Sequence, residues 1–373
     1  MKRIAIIPRN NWQEKVQNLG FGFHADYWNE KAYYQFSMEE VNQIEQATTE
    51  LQEMCLKAVD YVIENRLYDK FHIPEYLIQH IEDSWNNDAP SLYGRFDLAF
   101  NNGELKMLEY NADTPTSIFE AAIIQWYWLQ EVDEKQDQYN RMHEALIEQW
   151  QYLKPTLKGD CLYFACVEEN LEDYTTVHYL MDCATQAGIF CRFIFVEDIG
   201  WDNERKLFVD ANENPIESIF KLYPWEWMAH EDFGECIIEC GTTWIEPSWK
   251  MILSNKAILP VLWQLFPDSK YLLPAYFEKP EGMNSFAKKP ILSREGANVE
   301  LVKENEIIER TEGEYGEEGY IYQQYTALGN EDGNHFIIGS WVIGGEAVGM
   351  GIRESDNLIT NNTSRIVPHL IKL

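Results

Sequence analysis

Cysteine pairs, long apolar runs and abundant basic residues are what this sequence lacks, and each absence excludes a class of protein. The seven cysteines are an odd number and none lies at C-x-x-C spacing, which predicts free thiols in a reducing cytoplasm rather than a disulfide framework or a zinc site. The apolar run from Ile4 to Ile7 is too short for a signal peptide, and no stretch is long enough to cross a bilayer. We therefore expect a soluble, cytoplasmic protein with no membrane partner.

Basic residues number 30 against 62 acidic ones, which gives a formal net charge of -32 at pH 7. Polyanions are bound through clusters of Lys and Arg, so no nucleic-acid partner is expected. A field of this sign would attract a cationic small molecule, although solubility alone explains the charge as well. With 373 residues, of which 45% are hydrophobic and 14% aromatic, the chain is long enough for two or three lobes and too apolar to be disordered.

Familiar nucleotide-binding and catalytic motifs are also missing. Neither G-x-G-x-x-G nor G-x-x-x-x-G-K-[ST] follows a predicted strand, which excludes Rossmann and P-loop sites. There is no G-x-S-x-G nucleophile elbow, and the eight histidines have no Cys or Asp neighbour at a metal-binding spacing. Covalent catalysis by serine or cysteine is therefore disfavoured.

What the sequence does contain is a hairpin followed by a helix between Gly94 and Glu120. Asn101-Asn102-Gly103 suits a three-residue loop, a type I turn with Gly103 left-handed, which pairs Phe100 with Glu104. Odd-numbered residues of both strands then share one face, whereas a two-residue turn would separate them. That face would carry Arg95, Asp97, Glu109 and Asn111. Such oxygen ligands suit Mg²⁺, but a solvated outer face of a hairpin explains the pattern equally well.

The segment after the hairpin favours the metal site over the solvated face. Ser117 followed by Glu120 forms the capping-box pattern that begins a helix. The free N–H groups of a helix N-terminus bind anions. A metal site and an anion site side by side suggest phosphate chemistry.

Two other regions have recognisable secondary structure. A capping box at Ser37 and Glu40 begins an amphipathic helix that we predict to end near Asn65. From residue 161 onward, short apolar strands alternate with helix, which predicts a parallel α/β lobe. Such lobes bind ligands beyond the carboxyl ends of their strands, so Glu172 and Glu226 are candidate substrate contacts, although an acid in such a place is more commonly a surface residue.

The last third of the chain supplies cations. A helix predicted over 254–266 has Lys256 in its first turn, where a lysine opposes the helix dipole and suggests a bound phosphate. Lys289 ends a strand, and the loop that follows contains Gly296 and Arg294, a natural phosphate contact. Beyond this loop we predict an acidic surface turn at 309–318, a buried strand and hinge at 320–325, a glycine-rich hairpin at 336–353 and a polar tail.

Five motifs stand in order along the chain. They are Glu109-Tyr-Asn-Ala-Asp-Thr-Pro-Thr-Ser117, Tyr223-Pro-Trp-Glu-Trp227, Asn255-Lys-Ala-Ile-Leu-Pro-Val-Leu-Trp263, Lys289-Pro-Ile-Leu-Ser-Arg-Glu-Gly-Ala-Asn298 and Gly351-Ile-Arg-Glu354. Together they resemble the glutathionylspermidine synthase family, in its stand-alone acid–amine ligase branch, from about Trp12 to the C-terminus.

The resemblance implies an α/β fold with α+β character. It is an ATP-grasp fold in permuted order, because the Glu-x-Asn strand here precedes the nucleotide-binding lysines instead of following them, and it has an inserted parallel α/β lobe. Three regions are implied: 1–150, an N-terminal helical region with the metal-binding hairpin; 151–252, the α/β lobe on the substrate side; and 253–373, the nucleotide-binding lobe.

The resemblance also implies ATP and two Mg²⁺ ions as cofactors, with a role for each motif residue. The Mg²⁺ ligands would be Asp97, Glu109 and Asn111. ATP would be held by Lys256, Lys289, Arg294, Gly296, Gln323, Gln324, Tyr325 and Thr326, the last four around the adenine. Arg95 and Arg353 would face the γ-phosphate and the acyl phosphate, with the loop around Arg294 closing over them. The acid substrate would contact Thr114, Thr116 and Glu172, with Glu226 as the further candidate.

The implied reaction joins a small peptide or amino acid to an amine, such as a polyamine, through an acyl phosphate. Thr114 and Thr116 stand where glutathione-using members have serines, and Trp227 stands where they have a smaller residue. The identities of the acid and of the amine are therefore left open. The sequence does not indicate the oligomeric state either. A catalytically silent ATP-binding protein with a regulatory or assembly role is the alternative. A kinase-like phosphoryl transfer to a small molecule is a third interpretation.

Overall fold

The computed structural model describes residues 1–25, 27–361 and 363–372. Within these ranges the chain is a mixed α/β protein whose strands form five sheets. The α-helices are Trp12–Asn18, Met38–Glu64, Ile78–Asn86, Gln125–Val132, Met142–Leu153, Leu171–Gln186, Trp225–Met228, Lys250–Ser254 and Ile258–Leu265. Short 3₁₀ turns lie at Leu67–Phe71, Glu75–Leu77, Lys154–Thr156, Val196–Asp198 and Gly234–Ile238, and a π-helical turn lies at Glu120–Ile124.

A six-stranded antiparallel sheet, called the central sheet below, carries the predicted metal hairpin. Its strands in spatial order are Arg365–Val367, Glu346–Ser355, Asn334–Ile343, Tyr93–Asn101 and Glu104–Asn111, with Gly329–Glu331 paired to Asn334–Ile343. The predicted glycine-rich C-terminal hairpin is confirmed. Because it pairs directly with the metal hairpin, residues far apart in sequence meet on one surface.

The remaining sheets include the predicted parallel lobe. The four-stranded parallel sheet has the order Thr243–Ile245, Ser218–Lys221, Leu162–Cys166 and Cys191–Phe195, which confirms that prediction. A five-stranded antiparallel sheet has the order Ala275–Phe277, Tyr320–Gln324, Phe286–Pro290, Glu300–Lys303 and Glu306–Arg310. The two small sheets are Lys2–Ala5, Ala32–Phe36 and His369–Ile371, and Gly200–Asp202 with Leu207–Val209.

The long helix Met38–Glu64 supports the central sheet from one side. Ser37 caps it with both hydrogen bonds of the predicted capping box to Glu40, and the helix ends before Asn65 as expected. Its buried stripe is apolar apart from Thr48, whose hydroxyl lies 2.6 Å from the Ser340 hydroxyl of the sheet, and Gln52, whose Oε1 accepts from the Tyr110 hydroxyl at 2.8 Å. Helix and sheet are therefore joined by satisfied polar contacts inside an apolar layer.

The hairpin turn differs from the predicted one. Asn102 at φ 51° and Gly103 at φ 81° form a two-residue turn, so Phe100 pairs with Leu105 and not with Glu104. Two central residues with positive φ are the type I′ arrangement, which matches the natural twist of paired strands. The predicted three-residue loop is wrong.

A β-bulge nevertheless restores the predicted face. Leu98 pairs with Met107 while Asp97 pairs with Glu109, so Leu108 is the extra residue in the ladder. One extra residue reverses the side-chain alternation of everything beyond it. Arg95, Asp97, Glu109 and Asn111 therefore share one face, as predicted. The bulge produces this arrangement, and the turn does not.

A helix begins where the sequence predicts it, but the predicted capping box is wrong. Ser117 has φ 68°, the helix begins at Ile118, and it passes at once into the π-helical turn. The Glu120 carboxylate does not return to the Ser117 backbone, and within the described residues it has no hydrogen-bond partner. Glu120 is fully buried instead.

The placement of Lys256 is also corrected. The helix spans Ile258–Leu265, so Lys256 lies in the turn between it and the preceding helix Lys250–Ser254. The argument from the helix dipole therefore does not apply to it. Lys256 is fixed instead by a backbone hydrogen bond from its N–H to the carbonyl of Ile291, at 3.1 Å.

The predicted polar tail is wrong, because it contains the strands Arg365–Val367 and His369–Ile371. The second of these pairs in parallel with Ala32–Phe36 near the N-terminus, a partner that sequence patterns do not reveal. The predicted acidic turn is irregular and unburied over 311–318 as expected. Its first two residues belong to the strand Glu306–Arg310, where Glu309 accepts two backbone N–H bonds.

The two-residue turn predicts a specific response to mutation. Asn102→Ala should lower the free energy of unfolding by about 1 kcal/mol, because alanine tolerates positive φ poorly, while Asn102→Gly should not lower it. Denaturant unfolding of both variants measures this, with Asn101→Ala as the control. Equal stability of the Ala and Gly variants would contradict the turn assignment.

Candidate active site

Four polar side chains of the hairpin form two facing pairs. Asp97 lies opposite Glu109, and Arg95 lies opposite Asn111. Asn111 Nδ2 is 3.3 Å from Glu109 Oε1 and 3.5 Å from Asp97 Oδ2. Two carboxylates and an amide thus converge, which is the hard donor set that fits Mg²⁺. Clusters of three or more His, Cys, Asp or Glu do not occur among the described residues, and this set contains only two of those residues.

Two arginines neutralise Asp97. Arg95 is buried, and it donates from Nε to Asp97 Oδ1 at 2.8 Å and from Nη1 to the Thr116 carbonyl at 2.7 Å. Arg353, from the strand Glu346–Ser355, donates from Nη2 to the same carboxylate. Its Nε is buried and has no hydrogen-bond partner in the described part of the chain. Guanidinium N–H groups are therefore held directly beside the two carboxylates.

Two lysines approach the same point from the opposite side. Lys256 Nζ lies 3.2 Å from Glu109 Oε2. Lys289, on the central strand of the five-stranded sheet, donates from Nζ to the Leu108 carbonyl at 2.9 Å and to Gln323 Oε1 at 2.8 Å. The bulged residue of the hairpin thus supplies a carbonyl that fixes one of the lysines.

These charges set the protonation of the site. Burial alone would raise the pKa of Glu109, but the nearby charges of Lys256, Lys289 and Arg353 outweigh it and hold that pKa well below its usual range. Burial lowers the pKa of Lys289 to about 8, although Glu109 opposes the shift. Near neutral pH Glu109 is therefore ionised, and Lys289 is mostly protonated.

The first cavity, of about 790 Å³, lies between the central and five-stranded sheets. Its polar end is bordered by Asp97, Glu109, Lys256 and Lys289. Its other end is apolar and is lined by Leu108, Ala287, Val299, Leu301, Leu328, Ile337, Leu358 and Ile359. The consecutive residues Gln323, Gln324, Tyr325 and Thr326 form one edge. An elongated ligand with a flat apolar end and an anionic end fits this cavity.

The second cavity, of about 1030 Å³, adjoins the first. Its wall includes Arg95, Asn111, Thr114, Thr116, Asn170, Asp173, Trp227, Arg294 and Arg353. Glu109, Gly296 and Thr360 border both cavities. Gly296 has φ 69°, and a Cβ there would lie 2.4 Å from the Thr360 carbonyl oxygen, so only glycine allows this close approach. The two cavities therefore meet at the carboxylate and cation cluster.

Arg294 closes one side of the second cavity. It donates to Thr114 Oγ1 at 2.7 Å and to Glu226 Oε1 at 2.5 Å, and its guanidinium carbon lies 5.5 Å from the centre of the Trp227 ring. Arg294 lines the second cavity and does not line the first. Its predicted role in binding ATP therefore stays a prediction. Glu226 is engaged with Arg294 and is absent from the lining of the second cavity.

Three acids near Thr116 have raised pKa values, and two of them lie behind the wall of the second cavity. Burial, reinforced by Glu172, raises the pKa of Glu120 to about 8. Burial likewise raises the pKa of Glu172, which accepts a hydrogen bond from the Tyr27 hydroxyl at 3.3 Å, and raises that of Asp173 to about 7. Glu172 contacts Thr116 but does not itself line the cavity, whereas Asp173 does.

Sequence reasoning missed part of both cavities. Asp173 and the helix-capping Asn170 line the second, and an Asn three residues before an Asp at a helix start was an available signal. The apolar wall formed by Ile337, Leu358 and Ile359 had no signal, because these residues come from a sheet strand and a late loop that meet only in the folded chain.

Comparisons with known proteins show the family of this chain. The sequence model of the glutathionylspermidine synthase preATP-grasp family matches residues 3–372. The chain belongs to this family. A protein of Haemophilus influenzae, provisionally described as an acid–amine ligase, is 43% identical over 99% of this chain and 99% of its own. The resemblance that the sequence motifs indicated is thus confirmed.

More distant relatives are longer than this chain. Trypanothione synthetase of Crithidia fasciculata is 29% identical over 87% of this chain and 54% of its own length. The bifunctional glutathionylspermidine synthetase/amidase of Escherichia coli is 27% identical over 96% of this chain and 62% of its own length. The chain therefore spans little more than half of these relatives.

A solved structure shares the fold. It is a crystal structure from Methylobacillus flagellatus, provisionally described as a gamma-glutamylcysteine synthetase, with a TM-score of 0.51 and 11% identity over 87% of this chain and 88% of the other. This likeness supports a mixed α/β fold of the synthetase type. Separately, the helices within the described ranges include none that is long and apolar enough to cross a membrane.

The raised pKa of Glu120 predicts how stability depends on pH. The buried carboxyl binds its proton more tightly in the folded state, so its contribution to stability is present below about pH 4.5 and is lost as the pH rises through about 8. Glu120→Gln cannot ionise and should be more stable than the native chain at pH 9, with near-equal stability at pH 5. Urea unfolding at both pH values measures this, with Glu104→Gln as an exposed control. A constant difference across this range would contradict the assignment.

Proposed function

We propose that this protein is an ATP-dependent carboxylate–amine ligase that forms an amide bond through an acyl phosphate. The observation that carries the proposal is the meeting of the two cavities at Glu109. On one side lie the two lysines and an elongated pocket, and on the other lie Arg95, Arg353 and a polar pocket. A phosphoryl group bound between the two cavities would be in reach of the lysines and of the arginines.

The proposed nucleotide position uses the whole first cavity. The adenine lies at the apolar end, with its polar edge along 323–326, and the phosphates reach Lys256 and Lys289. Asp97, Glu109 and Asn111 fit a site for Mg²⁺, and we propose two ions there. Bound Mg²⁺ would neutralise phosphate charge during transfer. We propose that the fold is an ATP-grasp fold in permuted order, which the position of the metal hairpin before the lysines supports.

The chemistry follows from charge. A carboxylate is a poor acylating agent at neutral pH, and its attack on the γ-phosphate of ATP gives an acyl phosphate that an amine can capture. Both steps concentrate negative charge, and Arg95 and Arg353 lie where that charge would develop. Arg353 has a free buried N–H for this purpose. No side-chain nucleophile is needed.

The second cavity is the proposed acid site. Thr114 and Thr116 supply polar contacts on its wall, and Trp227 with Arg294 limits its size. Glu226 holds Arg294, and Glu172 supports Thr116, so we assign both to positioning the pocket. A small peptide or amino acid fits this space. The relatives whose names specify glutathionylspermidine and trypanothione suggest a polyamine as the amine.

The first test identifies the substrates. We expect ADP release from Mg-ATP only when a specific acid and a specific amine are both present, in a panel of short peptides, glutathione and amino acids with and without spermidine and other amines. Hydroxylamine should trap the acyl phosphate as a hydroxamate, which a kinase-like transfer would not yield. Nucleotide binding without turnover across the panel would instead favour a silent ATP-binding protein.

A variant tests the metal hairpin. Glu109→Gln should reduce turnover by at least about 100-fold, because it removes a charge at the point where phosphates and metal meet. The matched control is Glu104→Gln, at the exposed tip of the same hairpin, which should retain native turnover. Steady-state ADP release for both variants, with unchanged circular dichroism, measures the effect. Native turnover by the Glu109→Gln variant would contradict the assignment of Glu109 as a metal ligand.

A further inference from the structure

A third cavity, of about 510 Å³, lies inside the parallel α/β lobe. It sits on the sheet face that carries Ala165 and Ile219, whereas the opposite face, with Phe164 and Phe220, packs on the helix Leu171–Gln186. The wall is mostly apolar and comes from several segments, including the small hairpin and the turn at Gly234–Ile238.

The floor of this cavity contains a buried lysine. Lys221 ends its strand, and its Nζ donates to Asp113 Oδ1 at 2.7 Å and to the Tyr223 carbonyl at 2.8 Å. Its Nζ also lies 4.7 Å from the centre of the Trp225 ring, so the ammonium is held by two hydrogen bonds and a cation–π contact. Ligands of parallel sheets bind at the carboxyl ends of strands, which is where Lys221 lies.

A second donor borders the same space. Trp244 lines the cavity and is only 6% exposed, and its indole N–H has no hydrogen-bond partner among the described residues. The indole N–H groups of Trp128 and Trp150 share this lack, but those side chains are 0% exposed in the packed core. A buried N–H without an acceptor costs about 1–3 kcal/mol, so an acceptor from a ligand would be stabilising.

The charges of the wall select the kind of ligand. Asp113 already neutralises Lys221, and Glu231 at the exposed rim would repel an anion. The available donor is the indole N–H of Trp244, which favours a ligand that accepts a hydrogen bond. We propose that this cavity is a binding site for a small uncharged molecule with an aromatic or aliphatic body and one carbonyl oxygen, which accepts from Trp244.

This site is separate from the two cavities of the proposed ligase. Only Tyr223 borders both it and the second cavity, and the proposal needs neither ATP nor turnover. Lys221 on its floor nevertheless binds Asp113, which follows the metal-site strand two residues after Asn111. An occupant would therefore contact a residue pair that holds this segment in place.

The test is a binding experiment on the whole chain without nucleotide. Acetophenone is titrated into protein labelled with ¹⁵N at tryptophan, and the Trp244 indole resonance is assigned by its loss in Trp244→Phe. We expect a saturable shift of that resonance, and binding at least about 5-fold weaker for ethylbenzene, which has the same shape and no oxygen. No saturable shift, or equal affinity for the two compounds, would overturn the proposal.

A second experiment uses variants in which a larger side chain fills the cavity. Val196→Phe adds a ring on the cavity wall and should weaken acetophenone binding at least 10-fold, while Ile308→Phe on an exposed edge strand should leave it unchanged. If Val196→Phe does not melt like the native chain, Ile199→Phe fills the same space from the next segment. Undiminished binding in a folded filled variant would place the ligand elsewhere and overturn the assignment.

Discussion

Buried carboxylates that must be matched by cations are the constraint on which this structure depends. Glu109 and Asp97 lie on one hairpin, and their partners come from three other parts of the chain: Lys256 from a turn between helices, Lys289 from the five-stranded sheet and Arg353 from the C-terminal hairpin. A buried charge without a partner is costly, so the native structure is stable only when these segments pack together. The same matching leaves cations ready for phosphates and carboxylates ready for a metal, because ligands of opposite charge can replace each protein partner.

The bulge at Leu108 shows how a small backbone feature decides the site. The two-residue turn alone would have placed Glu109 and Asn111 on the apolar side of the hairpin, against the supporting helix. The extra residue moves them to the polar side, and its own carbonyl accepts the Lys289 ammonium. One irregular residue thus sets both the face of the metal ligands and the position of a phosphate-binding lysine.

The acid side of the site is organised by contacts between lobes. Arg294 belongs to the loop after the Lys289 strand, yet it binds Thr114 after the metal hairpin and Glu226 at the end of the parallel lobe. All three regions therefore meet at one guanidinium. Movement of that loop would change the second cavity and would also shift Lys256, whose Nζ donates to the Ser293 carbonyl at 2.8 Å, so the acid pocket and the phosphate-binding side are coupled through this loop.

The sequence by itself determined the features that depend on neighbouring residues. The capped helix after Ser37 and the parallel lobe follow from local periodicity, and the ordered motifs identified the family. The common face of Arg95, Asp97, Glu109 and Asn111 was predicted from a turn that the structure does not have, and it results from the bulge. Tertiary structure alone decided the bulge, the burial of Glu120, the pairing of the last strands near the N-terminus and the apolar walls of the cavities. Each of these depends on a partner distant in the chain, and the energy of burial or strand pairing with such a partner overrides local preference.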